Sequence, residues 1–322
     1  MKKIHWVIAA LALAFTGGIA QAAGGNVKVT PLGSHDGEFC VLDRALIFED
    51  PDGTRILYDA GRTVRGPDDP RLGNIEAILV THMHGDHLGD VIQPSANAGA
   101  CGKPDFSVKT TPSSNSVNIA VAKKANILVG SEFDAFLAPK VKAAGGDPKS
   151  VRLVRFGADA KVGGVHIATV PAAHSSGISP GFVEGDLAKH LGENGLNAYA
   201  GPPTGYVLRF SNGLVVYLSG DTGITAEQEL VVRGYYKANL AVMNIGDLFT
   251  TGPVEAAYVI NKLVKPKSVI VSHANEPATE GGKLRPNTKT AKFIKATKVP
   301  VHIPLSGVTM EFNGKAKCVA GC

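Results

Sequence analysis

The stretch Thr81-His82-Met83-His84-Gly85-Asp86-His87-Leu88-Gly89-Asp90 constrains this chain more than any other. Four imidazole or carboxylate side chains fall within six residues of it. The apolar run Ala77-Ile78-Leu79-Val80 leads straight in and reads as a buried strand that ends at the cluster. Gly85 lets the backbone turn sharply there. His82 and His84 are two apart on extended backbone, so they point the same way and can hold one metal ion. Asp86 and His87, past the turn, are placed to hold a second. Polar residues at a strand end are the plainer reading. Against it, three of the chain's 10 histidines lie in this one segment.

Three further motifs follow downstream: Pro171-Ala172-Ala173-His174-Ser175-Ser176-Gly177, Leu218-Ser219-Gly220-Asp221-Thr222-Gly223 and Val269-Ile270-Val271-Ser272-His273. Upstream, Ile56-Leu57-Tyr58-Asp59-Ala60-Gly61 is an apolar strand ending in Asp. In this order, and across roughly residues 27 to 313, the set resembles the motifs of the metallo-β-lactamase superfamily. The stretch Asn244-Ile245-Gly246-Asp247-Leu248-Phe249-Thr250-Thr251-Gly252-Pro253 and the His-Ser-Ser-Gly form of the third motif carry a narrower similarity. They resemble the metal-dependent hydrolases related to ascorbate-phosphate lactonase.

The resemblance implies an α/β fold, an αββα sandwich with its site at the sheet edge. It implies that His82, His84 and His174 hold one divalent ion, that Asp86, His87 and His273 hold another, and that Asp221 bridges them. Two ions about 3.5–4 Å apart would activate a bridging hydroxide for attack on a carbonyl carbon or a phosphorus. Asp86 would also carry the nucleophile's proton to the leaving group. Asp59 would orient a metal-bound histidine from behind, or more simply cap backbone amides. Ligation by His and Asp alone suits zinc, and also manganese or iron.

An Asp at position 221 is shared by lactonases, glyoxalase II-type thioesterases and phosphodiesterases of the superfamily. Several β-lactamases carry Cys there, so antibiotic hydrolysis ranks low. The expected substrate is a small molecule with a lactone, ester or phosphodiester bond. Arg62, Arg65, Lys283 and Arg285 lie in loops near Asp59 and His273 and are candidates to meet an anionic group; solvated surface charge is the plainer reading. The alternative to an enzyme is a non-catalytic metal-binding or partner-binding protein on the same scaffold. All seven ligand positions carry a fitting residue, which favours the enzyme.

Residues 1 to 22 read as a secretory signal peptide: Lys2 and Lys3, an apolar run from Ile4 to Phe15, and Ala20-Gln21-Ala22 as cleavage site. That run is too short and wrongly flanked for a membrane span. The mature chain, 23 to 322, is then exported to a periplasm or beyond, with no stable membrane anchor. Losing two lysines takes the formal charge from +5 to +3, too mild to argue for nucleic acid. Export permits disulfides. Four cysteines allow three pairings, and Cys40 with Cys101 and Cys318 with Cys322 is the pairing expected.

Candidate ligands run from 82 to 273, so one site draws on most of the chain, which reads as a single domain. Apolar runs mark strands at Val27 to Leu32, Arg44 to Phe48, Arg55 to Tyr58, Ile127 to Val129, Val151 to Phe156, Val165 to Val170, Tyr206 to Phe210 and Leu214 to Leu218. Residues 91 to 117 read as a surface excursion, and 118 to 145 as a strand-helix unit. The Gly-rich segment 177 to 203 reads as a lid or rim. After Asp221, helices near 225–236, 253–264 and 287–296 alternate with strands Leu240 to Ile245, Ser268 to Ser272 and Val301 to Ile303, a rhythm that argues a helix-covered sheet. His35 and His190 read as loop histidines outside the ligand set.

Overall fold

The computed structural model describes residues 24–322; the expected signal peptide lies outside them. Along the chain the main strands are β1 (Val27–Pro31), β2 (Leu46–Glu49), β3 (Arg55–Tyr58), β4 (Ala77–Val80), β5 (Asn126–Val129), β6 (Val151–Leu153), β7 (Asp159–Val162), β8 (Val165–Pro171), β9 (Thr204–Arg209), β10 (Val215–Leu218), β11 (Leu240–Asn244), β12 (Ser268–Ser272), β13 (Val301–His302), β14 (Met310–Phe312) and β15 (Cys318–Ala320). They form an eight-stranded sheet, β6-β5-β4-β3-β2-β1-β14-β15, and a seven-stranded sheet, β7-β8-β9-β10-β11-β12-β13. The helices are α1 (Gly85–Leu88), α2 (Asn115–Lys123), α3 (Phe133–Ala143), α4 (Gly185–Glu193), α5 (Pro253–Tyr258) and α6 (Lys289–Ala296).

Alternation along each strand sorts the apolar side chains into three layers. Phe48, Ile56, Leu79, Ile167, Leu208 and Val216 meet between the sheets. Their neighbours Ile47, Leu57, Ile78 and Val80 face outward under α2 and α3, against Ile119, Phe133 and Leu137. On the second sheet Val207, Tyr217, Ala241 and Met243 face outward under Ala256, Ile260 and Phe293. Both faces of the central strands are covered, which is why Ala77–Val80 reads as an unbroken apolar run. Helices flank two stacked sheets, giving the αββα sandwich.

Two tyrosines tie the sheets together. Tyr206 of β9 donates its hydroxyl to Val80 O at 2.7 Å, with Leu128 O sharing it at 2.9 Å. In the other direction, Gly220 N donates to Tyr58 Oη at 3.1 Å.

Some expectations need correction. Helix α2 starts inside the segment expected to be surface excursion. Ser114 Oγ accepts from Val117 N at 3.1 Å and starts the helix, and Asn115, Ser116 and Val117 are buried. The helix near 225–236 is a π-wound turn over Gln228–Arg233, and α5 continues as another over Val259–Val264. Strands β7, β14 and β15 were not anticipated. The expected disulfides, Cys40–Cys101 and Cys318–Cys322, are both present. Among the described residues no helix is long and apolar enough to cross a membrane.

Candidate metal centre

Sheet topology decides where the polar clusters go. Strands β3, β4 and β5 are parallel. In the second sheet β10, β11 and β12 are parallel, and β8 has the same sense because it reaches β10 through two antiparallel pairings. Asp59, His82, His174, Asp221 and His273 each follow the C-terminal end of one of these strands and emerge at one edge of the sandwich. His84 begins the short helix α1, which carries Asp86 and His87.

All seven expected ligands converge. The His82, His84 and His174 rings lie within 5.1 Å of one another, centroid to centroid, and offer ligand atoms to a common point. Asp86, His87 and His273 form a second such group, and His82, His87 and Asp221 a third. Asp221 Oδ2 is the hub. It lies 3.0 Å from His273 Nε2, 3.3 Å from His87 Nε2 and 3.7 Å from His174 Nε2. A further group, His302 with Cys318 and Cys322, has its sulfurs joined to each other.

Hydrogen bonds behind the cluster fix the rings. Asp59 Oδ2 lies 2.7 Å from His87 Nδ1 and accepts from Thr81 Oγ1 at 2.8 Å, while Oδ1 accepts from Thr81 N at 2.9 Å. Thr81 Oγ1 spends its proton on Asp59, so it accepts from His82 Nδ1 at 2.9 Å. Both rings thereby turn Nε2 toward the centre. The His174 and Asp221 loops are zipped together: Ala173 N donates to Thr222 Oγ1 at 3.0 Å, and Gly223 N to Ala173 O at 3.0 Å. Asn244, ending β11, donates to Thr222 O at 3.1 Å and Thr251 Oγ1 at 2.9 Å.

The electrostatics divide the site in two. Burial, then His87, holds His82 well below the usual imidazole range. Burial, then His174, lowers His84, and burial lowers His174. These three are neutral lone-pair donors. His82 Nε2 is buried with no hydrogen-bond partner, and this donor set fits a divalent ion. Around the second group sit the carboxylates Asp59, Asp86 and Asp221. Burial pushes Asp86 up, but Arg44, His87 and His273 together outweigh it and hold the carboxyl well below the usual range. At Asp221 burial is likewise outweighed, chiefly by His273.

Arg44 was not foreseen as a site residue. Its guanidinium is buried against the cluster, hydrogen-bonded to Asp86 Oδ2, with Nη1 2.7 Å from His87 Nε2. Despite burial, Asp221 and Asp59 would raise His87 to about 10. A guanidinium donor already fills the place of a second ring proton, however, so the ring is neutral, with Nδ1–H toward Asp59.

In front of the cluster opens a cavity of about 520 Å³ lined by Val41, Leu42, Arg62, Ser175, Phe249 and Asn275 besides the expected ligands His84, Asp86, His174, Asp221 and His273. Of the four expected anion-binding cations only Arg62 lines it, and Arg62 is paired through two nitrogens with Asp90 at 2.7 and 2.8 Å. Arg65 faces Asp69. Lys283 and Arg285 belong to or follow the Thr279–Leu284 hairpin and do not line the cavity. His35 bonds Ser34 Oγ and Gly99 O, and His190 is exposed on α4; neither joins a ligand group.

An αββα sandwich with a histidine- and aspartate-rich edge is the architecture of the metallo-β-lactamase fold. The chain belongs to the β-lactamase superfamily: the model "Beta-lactamase superfamily domain" matches residues 54–274. A "UPF0173 metal-dependent hydrolase" of Roseiflexus castenholzii is 31% identical over 232 residues, 69% of this chain and 76% of that protein. One from Pelotomaculum thermopropionicum is 32% identical over 237 residues, 73% of this chain and 82% of that protein. Among solved structures, the metallo hydrolase Igni18 of Ignicoccus hospitalis superposes with a TM-score of 0.56 at 23% identity, covering 89% of this chain and 100% of that one. The metallo-β-lactamase fold protein YhfI of Bacillus subtilis superposes at 0.55 with 13% identity, covering 89% and 99%. The protein is thus a metal-dependent hydrolase of this superfamily.

Proposed function

We propose that this chain is an exported hydrolase with a two-ion centre that opens a lactone, ester or phosphodiester bond of a small molecule. One observation carries the reading: a single oxygen, Asp221 Oδ2, faces ring nitrogens of both ligand groups. His82, His84 and His174 would hold one ion, Asp86, His87 and His273 the other, with Asp221 between them. Zinc heads the candidates, ahead of manganese and iron. Bound there, divalent ions supply Lewis-acid polarisation of the substrate oxygen and a more acidic water near neutral pH.

The chain's own groups do the rest. Asp86, a carboxylate that lines the cavity, takes a proton from the attacking water and returns it to the leaving oxygen. Ser175 and Asn275 meet polar atoms of the substrate, and Val41, Leu42 and Phe249 its apolar part. An anionic group on the substrate has Arg62 within reach. The pattern of residues 1 to 22 and the two disulfides support export.

The test is a hydrolysis panel on the mature protein, stripped with chelator and reloaded with zinc or manganese. It sets an activated phosphodiester, lactones, an ester, a thioester and a β-lactam against an Asp221→Ala blank. Preference for one bond class, lost with Asp221→Ala and on chelation, is the expected result. Turnover that survives Asp221→Ala removes the bridging role. Silence across the panel from a fully loaded protein removes these bond classes.

A further inference from the structure

We propose that Arg44 is a built-in cation that competes with a metal ion for the Asp86–His87–His273 ligand group. The two ligand groups then load unequally, His82–His84–His174 first. This rests on the metal-dependent reading above.

Strand register puts Arg44 where it is. β2 runs antiparallel to β3, and Leu46 pairs with Tyr58. The start of β2 therefore lies beside the end of β3. Arg44, two residues before Leu46, reaches the same edge as Asp59, one residue after Tyr58. The side chain is only 2% exposed. Its Nη1 is hydrogen-bonded to Asp86 Oδ2 and stands 2.7 Å from His87 Nε2.

That contact uses the lone pair a metal would need. Asp59 accepts the Nδ1 proton of His87, so the ring has one lone pair, on Nε2, and Arg44 faces it. A metal ion bonds a histidine nitrogen at about 2.0–2.1 Å, and two cations cannot share that approach. Guanidinium stays protonated at any working pH, so loss of a proton cannot clear the way. The side chain has to move.

The surroundings oppose such movement. Arg44 Nε bonds Leu42 O at 3.2 Å. The neighbouring Asp43 carboxylate accepts from Ser34 N at 2.9 Å and Cys40 N at 2.8 Å, and Cys40 is cross-linked to Cys101. The first ligand group has no such competitor: His82 Nε2 has no partner, and His84 Nε2 has only Ser175 Oγ at 3.4 Å.

The experiment is a metal titration of chelator-stripped protein, with bound zinc or manganese per chain followed by equilibrium dialysis and elemental analysis. Wild type, Arg44→Met and Arg44→Lys are compared, with circular dichroism to verify the fold. Wild type is expected to take one ion tightly and a second at least about tenfold more weakly. Arg44→Met, which keeps an apolar stem and removes the charge, should narrow that gap; Arg44→Lys should keep it. Two ions of equal affinity in wild type overturn the proposal even if a variant fails to fold. An unchanged gap in folded Arg44→Met also overturns it. A protein that binds no ion overturns the metal-dependent reading and this one together.

Discussion

Asp59 and His273 both hold left-handed backbone, at φ 42° and 50°. A non-glycine residue in that region costs of order 1–3 kcal/mol and persists where its surroundings impose it. Here the return is aim. Asp59 reaches Thr81 and His87 at once, and His273 points back at Asp221. The Asp59→Asn variant separates charge from shape, because Asn tolerates the same backbone region. It should lower metal affinity by about 10–100-fold, read by competition against a chromophoric chelator. Unchanged affinity would leave Asp59 only its hydrogen bonds to Thr81. At this scale the sequence was most legible: His82, His174, Asp221 and His273 are polar residues standing just after an apolar run stops, and His84, Asp86 and His87 crowd the turn after His82. Arg44 was invisible for a definite reason. It precedes a strand instead of ending one, and only the antiparallel register of β2 on β3 brings it to the edge.

The central strands could be read at the level of elements because both their faces are buried, which leaves long apolar runs. Edge strands β7 and β15 lack that mark: Asp159–Val162 alternates exposed and buried, and Cys318–Ala320 is mostly exposed; β14, between β1 and β15, is only three residues long. Helix α2 hid behind a Ser- and Asn-rich start that also suits a loop, and its capping serine shows only in three dimensions. The turn that presents Asp86 and His87 depends on a close approach. Gly61, at φ 52°, donates its N–H to His87 O at 2.9 Å. A Cβ there would fall 2.4 Å from Asp86 O. Gly61→Ala must therefore push α1 away or strain the loop. The expected outcome is a loss of about 1–3 kcal/mol in chemical denaturation, with weaker binding at the Asp86–His87–His273 group. Wild-type stability and metal binding in this variant would mean that α1 yields freely.

Across the whole molecule, the two sheets meet through an apolar layer bordered by hydrogen bonds such as Thr169 Oγ1 to Val154 O and Ser268 Oγ to Ala316 O. Tyr206 and Tyr58 add to these, each reaching across to backbone of the opposite sheet. Removing the Tyr206 hydroxyl leaves the carbonyls of Val80 and Leu128 facing a buried gap. Tyr206→Phe should cost about 1–3 kcal/mol, measured as a shift in denaturant midpoint. A shift under about 0.5 kcal/mol would show that this hydroxyl does not help to hold the sheets together.

The ligand groups have a consequence for how the chain holds together. His82, His84, Asp86 and His87 come from the first half of the sequence, and His174, Asp221 and His273 from the second. Each three-residue group draws from both. An ion seated here would fasten two lengths of polypeptide that elsewhere meet across apolar surfaces and along the β1–β14 pairing. Its binding free energy would be added to their association, so its removal would loosen the edge where the two halves meet.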